Sequence, residues 1–125
     1  MALAKIGNRN YTTEVSVRDF AFLVDEPLEE GGGNLGPKPT EILDAALASC
    51  TVITLRMYAE RKDWDLGDLQ VKVEREKEET ETKFVIVISS SASLNEEQKT
   101  RLLLIAHKCP VHKLLSQNKM EVRWG

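Results

Sequence analysis

The sequence predicts an α+β fold built on antiparallel strands. Three observations carry that expectation. Short stretches of alternating apolar and polar residues come in consecutive groups, not singly between helices. One long run poor in charge, centred on residues 42–53, reads as a buried helix. A second helix opens at Asn95-Glu96-Glu97, an N-cap followed by acids in the first turn. The expected order is βββ-α-ββ-α-β in one domain of residues 1–125, a length that suits one core but not two.

Leu3 to Asn8 and Tyr11 to Val17 read as strands around a turn at Asn8-Arg9-Asn10, where asparagine tolerates positive φ. In the second of these, Tyr11, Thr13, Val15 and Val17 alternate with Thr12, Glu14 and Ser16. Phe20 to Val24 is a third strand. The segment from Asp25 to Pro39, rich in glycine and proline, is a long loop of the kind that often carries function. Pro39 suits the first turn of a helix, where its missing N–H costs nothing. That helix runs from Thr40 to about Lys62, with its first half buried on nearly all sides and its charged second half in solvent. Residues 69–76 and Lys83 to Ser89 form an antiparallel pair across an acidic turn near 78–81. The last helix passes through Leu102, Leu103, Ile105 and Ala106. It breaks near Cys109, since a residue before proline avoids the helical state. Val111 to Leu115 is a short further turn, and Met120 to Trp124 a last strand. Trp64, Trp124, Met57 and Tyr58 read as packing residues.

Composition narrows the function classes. Apolar residues make up 42% and charged residues 30%, and the formal net charge is -3, which gives no attraction to nucleic acid. The N-terminus carries no targeting pattern and no stretch reads as ~20 apolar residues in a row, so a cytoplasmic protein that does not engage a membrane is expected. In a reducing compartment the two cysteines, Cys50 and Cys109, are better suited to transient chemistry than to a permanent staple.

The cysteines are the only residues whose chemistry stands out. They form no Cys-x-x-Cys pair, and they lie too far apart in the chain for the close spacing of zinc ligands. A metal set of His107, Cys109 and His112 lacks a fourth ligand, and His112 is read as structural. Taken alone, each cysteine also fits a buried structural residue. Cys50 sits about three turns into its helix, too far in for the helix N-terminus to activate it. A cation must come from elsewhere: Arg9 in the first turn or Arg18 after the second strand, with Arg9 preferred for its turn position. Arg56 falls on roughly the opposite helix face from Cys50.

Several segments resemble the OsmC/Ohr family. The approach to the first helix does so through Asp25-Glu26-Pro27, Gly32-Gly33 and Gly36-Pro37-Lys38-Pro39-Thr40-Glu41-Ile42-Leu43. The likeness continues through Ala45-Ala46-Leu47-Ala48-Ser49-Cys50-Thr51 and Thr54 to Lys62, and Cys109-Pro110-Val111-His112 resembles the family's Cys-Pro-x-His/Tyr segment. The resemblance implies two long helices against a strongly curved antiparallel sheet in an intertwined homodimer, where one subunit's hairpin arginine reaches the other's cysteine. It further implies a thiol-dependent peroxidase. Cys50 becomes a sulfenic acid on an organic hydroperoxide, Cys109 closes a disulfide, and a dithiol or lipoyl-type reductant reopens it without any bound cofactor. Thr40 stands where well-understood members carry a carboxylate, so Glu41, one position on, is the expected holder of Arg9, with Asp44 a further option. The rival reading is an OsmC-like binding or stress-response protein with little or no turnover.

Overall fold

The computed structural model describes residues 1–125 and has two compact units, 1–43 and 44–125. The first holds β1 (Ala2–Ile6), β2 (Thr13–Val17) and β3 (Phe20–Val24) in an antiparallel sheet of that order. Ile6 pairs with Thr13 across the first turn, and Val17 with Phe20 across a two-residue turn. Arg18 in that turn has φ of 52°, and its guanidinium lies over the Phe20 ring, 5.2 Å from the centroid. The sheet keeps much of its apolar surface open: Leu3, Ile6 and Phe20 are 52%, 58% and 63% exposed.

Asp25 closes this unit. Its carboxylate is buried and accepts hydrogen bonds from the Thr12 hydroxyl (2.7 Å) and the N–H groups of Glu26 (2.8 Å), Gly33 (3.3 Å) and Leu35 (3.3 Å). Burial works against its charge, but those four donors outweigh burial and hold the carboxyl below its ordinary value. The loop therefore winds around one anion. Gly32 and Gly36 are needed there, because a Cβ would collide with the carbonyls of Glu26 and Leu23.

Helix α1 (Pro39–Arg61) begins at the proline, as expected. Its buried residues, Leu47, Thr51, Leu55 and Ala59, recur every four positions and form a single stripe. Burial on nearly all sides does not hold in the single chain, where Ile53 and Met57 on the other face are 53% and 55% exposed. Helix α1 has 23 residues and an 18-residue stretch of mean hydropathy 1.4, long and apolar enough to cross a membrane by length and composition, against the expectation that no stretch would be. A core helix passes the same test, and the buried stripe of α1 contributes to the core of the second unit.

That core gathers Leu55, Ala59, Leu66, Leu102, Ile105 and Ala106, with Tyr58, Trp64, Leu69, Val71 and Ile88 against it. Leu55 and Leu66 are fully buried, each contributing roughly 1.5–3 kcal/mol relative to exposure. Tyr58 and Trp64 meet edge to face at 5.6 Å, which bears out their reading as packing residues. β4 (Leu69–Lys77) and β5 (Thr82–Ser90) pair antiparallel from Leu69↔Ser90 to Lys77↔Thr82, around the turn expected near 78–81. Helix α2 (Glu96–Ala106) opens on a full capping box: Gln98 N–H donates to Asn95 Oδ1 at 2.7 Å, and Asn95 N–H to Gln98 Oε1 at 3.0 Å. Helix α3 (Pro110–Ser116) follows the break, where the sequence suggested only a turn.

The last predicted strand is not formed. Met120, Val122 and Trp124 are 89%, 96% and 101% exposed, so Trp124 is no packing anchor within the chain. Their alternation suits a strand, but a strand needs a neighbour, and β4 and β5 pair with each other alone.

Candidate active site

Cys50 and Cys109 come together within the second unit. Cys50 follows Leu47 by just under one turn of α1, which leaves it half-buried beside the core stripe. Cys109 is fully buried at the break between α2 and α3, where Pro110 forces it out of the helical state, with φ of -56° and ψ of 130°. Both are free thiols, and each acts on the other's ionisation.

Their surroundings differ. Burial pushes the Cys50 thiol up from its ordinary value, and the Cys109 thiol adds to that rise; the Val111 N–H and the Thr54 hydroxyl pull back without cancelling it. Around Cys109, burial also disfavours the thiolate. There, however, the Cys50 thiol, the His112 N–H, the Thr51 hydroxyl and the Val111 N–H outweigh burial and bring the thiol below its ordinary value. The first turn of α3 thus supplies backbone donors to Cys109.

An apolar cavity of about 400 Å³ lies in the same unit, lined in part by Leu47, Phe84, Ile86, Leu103, Ala106 and His112. Leu47 sits on the cysteine helix, while Ala106 and His112 flank Cys109 in the chain. His107 and His112 meet edge to face, 5.0 Å between ring centres. No group of three or more His, Cys, Asp or Glu side chains gathers as a metal site, so the set of His107, Cys109 and His112 is not assembled.

Arg9 lies exposed in the loop between β1 and β2, in the first unit. Arg18 is held on Phe20. Glu41 Oε1 accepts the Lys38 N–H at 3.0 Å and so caps the start of α1, beside an exposed Thr40. Asp44, the further option for holding Arg9, meets Arg75 instead: its carboxylate lies 2.8 Å (Oδ1) and 3.1 Å (Oδ2) from Arg75 Nε. Sequence reasoning missed Thr51, Thr54 and Asp25. The spacing of residues 47, 51, 55 and 59 could have marked Thr51 as a polar residue on the buried stripe; Asp25 gave no signal beyond its place in the Asp25-Glu26-Pro27 segment of the family resemblance.

A pair of mutually sensitive thiols, one half-buried on a core helix and one buried at a proline break, defines a dithiol protein of α+β architecture. Residues 31–125 match the model of the OsmC-like protein family, and the chain belongs to that family. Among solved structures it is similar to an OsmC-like protein from Mycoplasma pneumoniae, with a TM-score of 0.72 and 18% identity over 93% of this chain and 86% of that one. It is similar to the organic hydroperoxide resistance protein OhrB of Bacillus subtilis, with a TM-score of 0.66 and 20% identity over 94% and 90%. The organic hydroperoxide resistance protein OsmC from Legionella pneumophila gives a TM-score of 0.66 and 23% identity over 92% and 87%. At these identities the likeness speaks for the fold. No protein of the curated set matches the chain.

Proposed function

We propose that this chain is a thiol-dependent peroxidase that reduces organic hydroperoxides. The observation that carries the proposal is the pairing of Cys50 with Cys109, in a unit that also holds a largely apolar cavity with Leu47 of the cysteine helix in its lining. The Cys50 thiolate attacks the terminal peroxide oxygen, the O–O bond breaks, and the organic part leaves as an alcohol after taking a proton. Cys50 is then a sulfenic acid. Cys109 attacks its sulfur, an S–S bond forms, and hydroxide leaves as water with the proton Cys109 gave up. An external dithiol, of lipoyl or similar type, reduces the disulfide by exchange and is itself oxidised. The apolar cavity favours peroxides with a hydrocarbon group over hydrogen peroxide.

Cys50 needs help to ionise, since its surroundings push it up. On this reading the working form is a cytoplasmic homodimer in which Arg9 of one protomer approaches Cys50 of the other and lowers it. Three features favour such a dimer: the open apolar surface of the β1–β3 sheet, the exposed Ile53 and Met57 on α1, and the unpaired alternation of Met120, Val122 and Trp124. Glu41, or Asp44 through its neighbourhood of α1, would steady the arginine, and both units together make one functional domain.

The second reading, a non-catalytic binding protein of the same family, is favoured by one observation. Glu41 is already engaged in capping α1, and Thr40 offers no carboxylate in its place. Rapid mixing of reduced protein with cumene hydroperoxide and with hydrogen peroxide separates the two. The peroxidase reading expects sulfenic acid followed by disulfide, at least about tenfold faster with the organic peroxide, the scale a modest apolar contact gives. Inert thiols in folded protein would favour the binding reading.

A further inference from the structure

Arg9 stands in the loop 7–12, between the paired residues Ile6 and Thr13. Such a loop is longer than a two-residue turn and does not fix its own tip. On its entry side it is open: a Cβ on Gly7 would meet nothing within 4 Å. On its exit side, consecutive residues are held by the segment that follows β3. Asn10 Nδ2 donates to the Gly31 carbonyl at 3.2 Å, Tyr11 Cε2 lies 3.5 Å from where a Gly31 Cβ would stand, and the Thr12 hydroxyl donates to Asp25 Oδ2 at 2.7 Å. Gly33 packs on that last pair, since a Cβ there would come within 3.1 Å of Asp25 Oδ2 and 3.4 Å of Thr12 Oγ1. The segment itself is wound on the Asp25 carboxylate through the N–H groups of Glu26, Gly33 and Leu35. One buried carboxylate is therefore the common anchor: it holds Thr12 directly, and it shapes the loop that receives Asn10 and Tyr11.

We infer that Asp25 is a positioning residue for Arg9: through Thr12 and the loop it gathers, it holds the arginine's turn in the shape that presents the guanidinium to Cys50 of the other protomer. This rests on the peroxidase reading, with Arg9 as its cation. A carboxylate suits the task, because hydrogen bonds to an ionised acceptor are roughly twice as strong as neutral ones. Placement matters to Arg9, since a charge lowers a thiol only from close range and a tip free to wander spends less time there. Asp25 acts through Arg9 alone, so it has no effect on the chemistry once Arg9 is gone.

The test is a double-mutant cycle on the rate of Cys50 oxidation by cumene hydroperoxide, measured across pH. Thr12→Val keeps the branched shape and loses the hydroxyl, Thr12→Ser keeps the hydroxyl, and Asp25→Asn sets an amide NH2 among N–H donors. Thr12→Val should slow the step at neutral pH about threefold, the worth of one modest hydrogen bond, and Asp25→Asn by more, up to the loss seen in Arg9→Ala. Both should move the pH–rate midpoint upward, toward that of Arg9→Ala, and Thr12→Ser should restore rate and midpoint. In an Arg9→Ala background neither change should slow the step further. The ¹⁵N heteronuclear NOE of the Arg9 and Asn10 amides reads the tether itself, and should drop in Thr12→Val. Should Asp25→Asn fail to fold, Thr12→Val decides alone. Where Arg9→Ala is slow, a folded Thr12→Val with the wild-type pH–rate curve overturns the inference, as does equal slowing with and without Arg9, which marks a structural role only. If Arg9→Ala matches wild type, or peroxide leaves the thiols untouched, the reading of Arg9 or of the peroxidase fails by itself. The NOE then decides on Asp25, and an unchanged value rejects it.

Discussion

The helical turn around Cys50 and the break around Cys109 place the same side chain in opposite circumstances. Cys50 is partly open, on a continuous helix whose backbone N–H groups are committed to their own ladder. Cys109 is closed off from solvent, but Pro110 ends one helix and begins another there, which frees the N–H groups of Val111 and His112 to face sulfur. Access and ionisation are thus divided between the two thiols. Burial raises the accessible thiol above its ordinary value, while the donors around the buried one bring it below. This division suits a first reaction with an outside peroxide and a second reaction within the protein.

The sharpest way to break the comparison is to remove each sulfur. Cys50→Ser should abolish peroxide turnover, measured as peroxide consumed in the presence of a dithiol; full multiple turnover would end the mechanism. Cys109→Ser should permit a single oxidation per chain and then stall, with the Cys50 sulfenic acid trapped by dimedone and seen by mass. A disulfide between chains in that variant would point to a different resolving partner.

Weaker perturbations sharpen it. Arg9→Ala should slow Cys50 oxidation at neutral pH by about tenfold or more, the scale set by losing a nearby opposite charge. The sign follows from the raised Cys50 thiol: less of it is thiolate at neutral pH, so the variant's rate should keep climbing as pH rises past the wild-type midpoint. Overlapping pH–rate curves would remove Arg9 from the site and leave Arg18 to be tested. Thr54→Val takes away a donor that partly offsets the rise at Cys50, and should slow the same step by about threefold, the worth of one modest hydrogen bond. An unchanged rate would assign that role to Val111 alone.

Much of this was legible in the chain. The Asn95 cap, the proline entry to α1 and the alternation in β4 are local patterns, and local patterns decide local structure. Pro110 located the break that exposes backbone donors to Cys109, so a cysteine placed before a proline was informative without any neighbour being known. What depended on distant partners was not legible. Asp25 collects donors from Thr12, Gly33 and Leu35, which only the folded loop brings together. Asp44 meets Arg75 across a long stretch of chain, and Glu41 is taken up by the capping of its own helix. The strand pattern of Met120 to Trp124 was read correctly as a pattern, but pairing is not a local property and the single chain offers it none.

The central claim is that Cys50 and Cys109 are one redox pair, and intact mass with a free-thiol count tests it most directly. Reduced protein is measured before and after one equivalent of cumene hydroperoxide, with hydrogen peroxide alongside. The account predicts loss of both thiols and of two hydrogens in mass, within one chain, and sooner with the organic peroxide. Two intact thiols in correctly folded protein, or a disulfide only between chains, would contradict it.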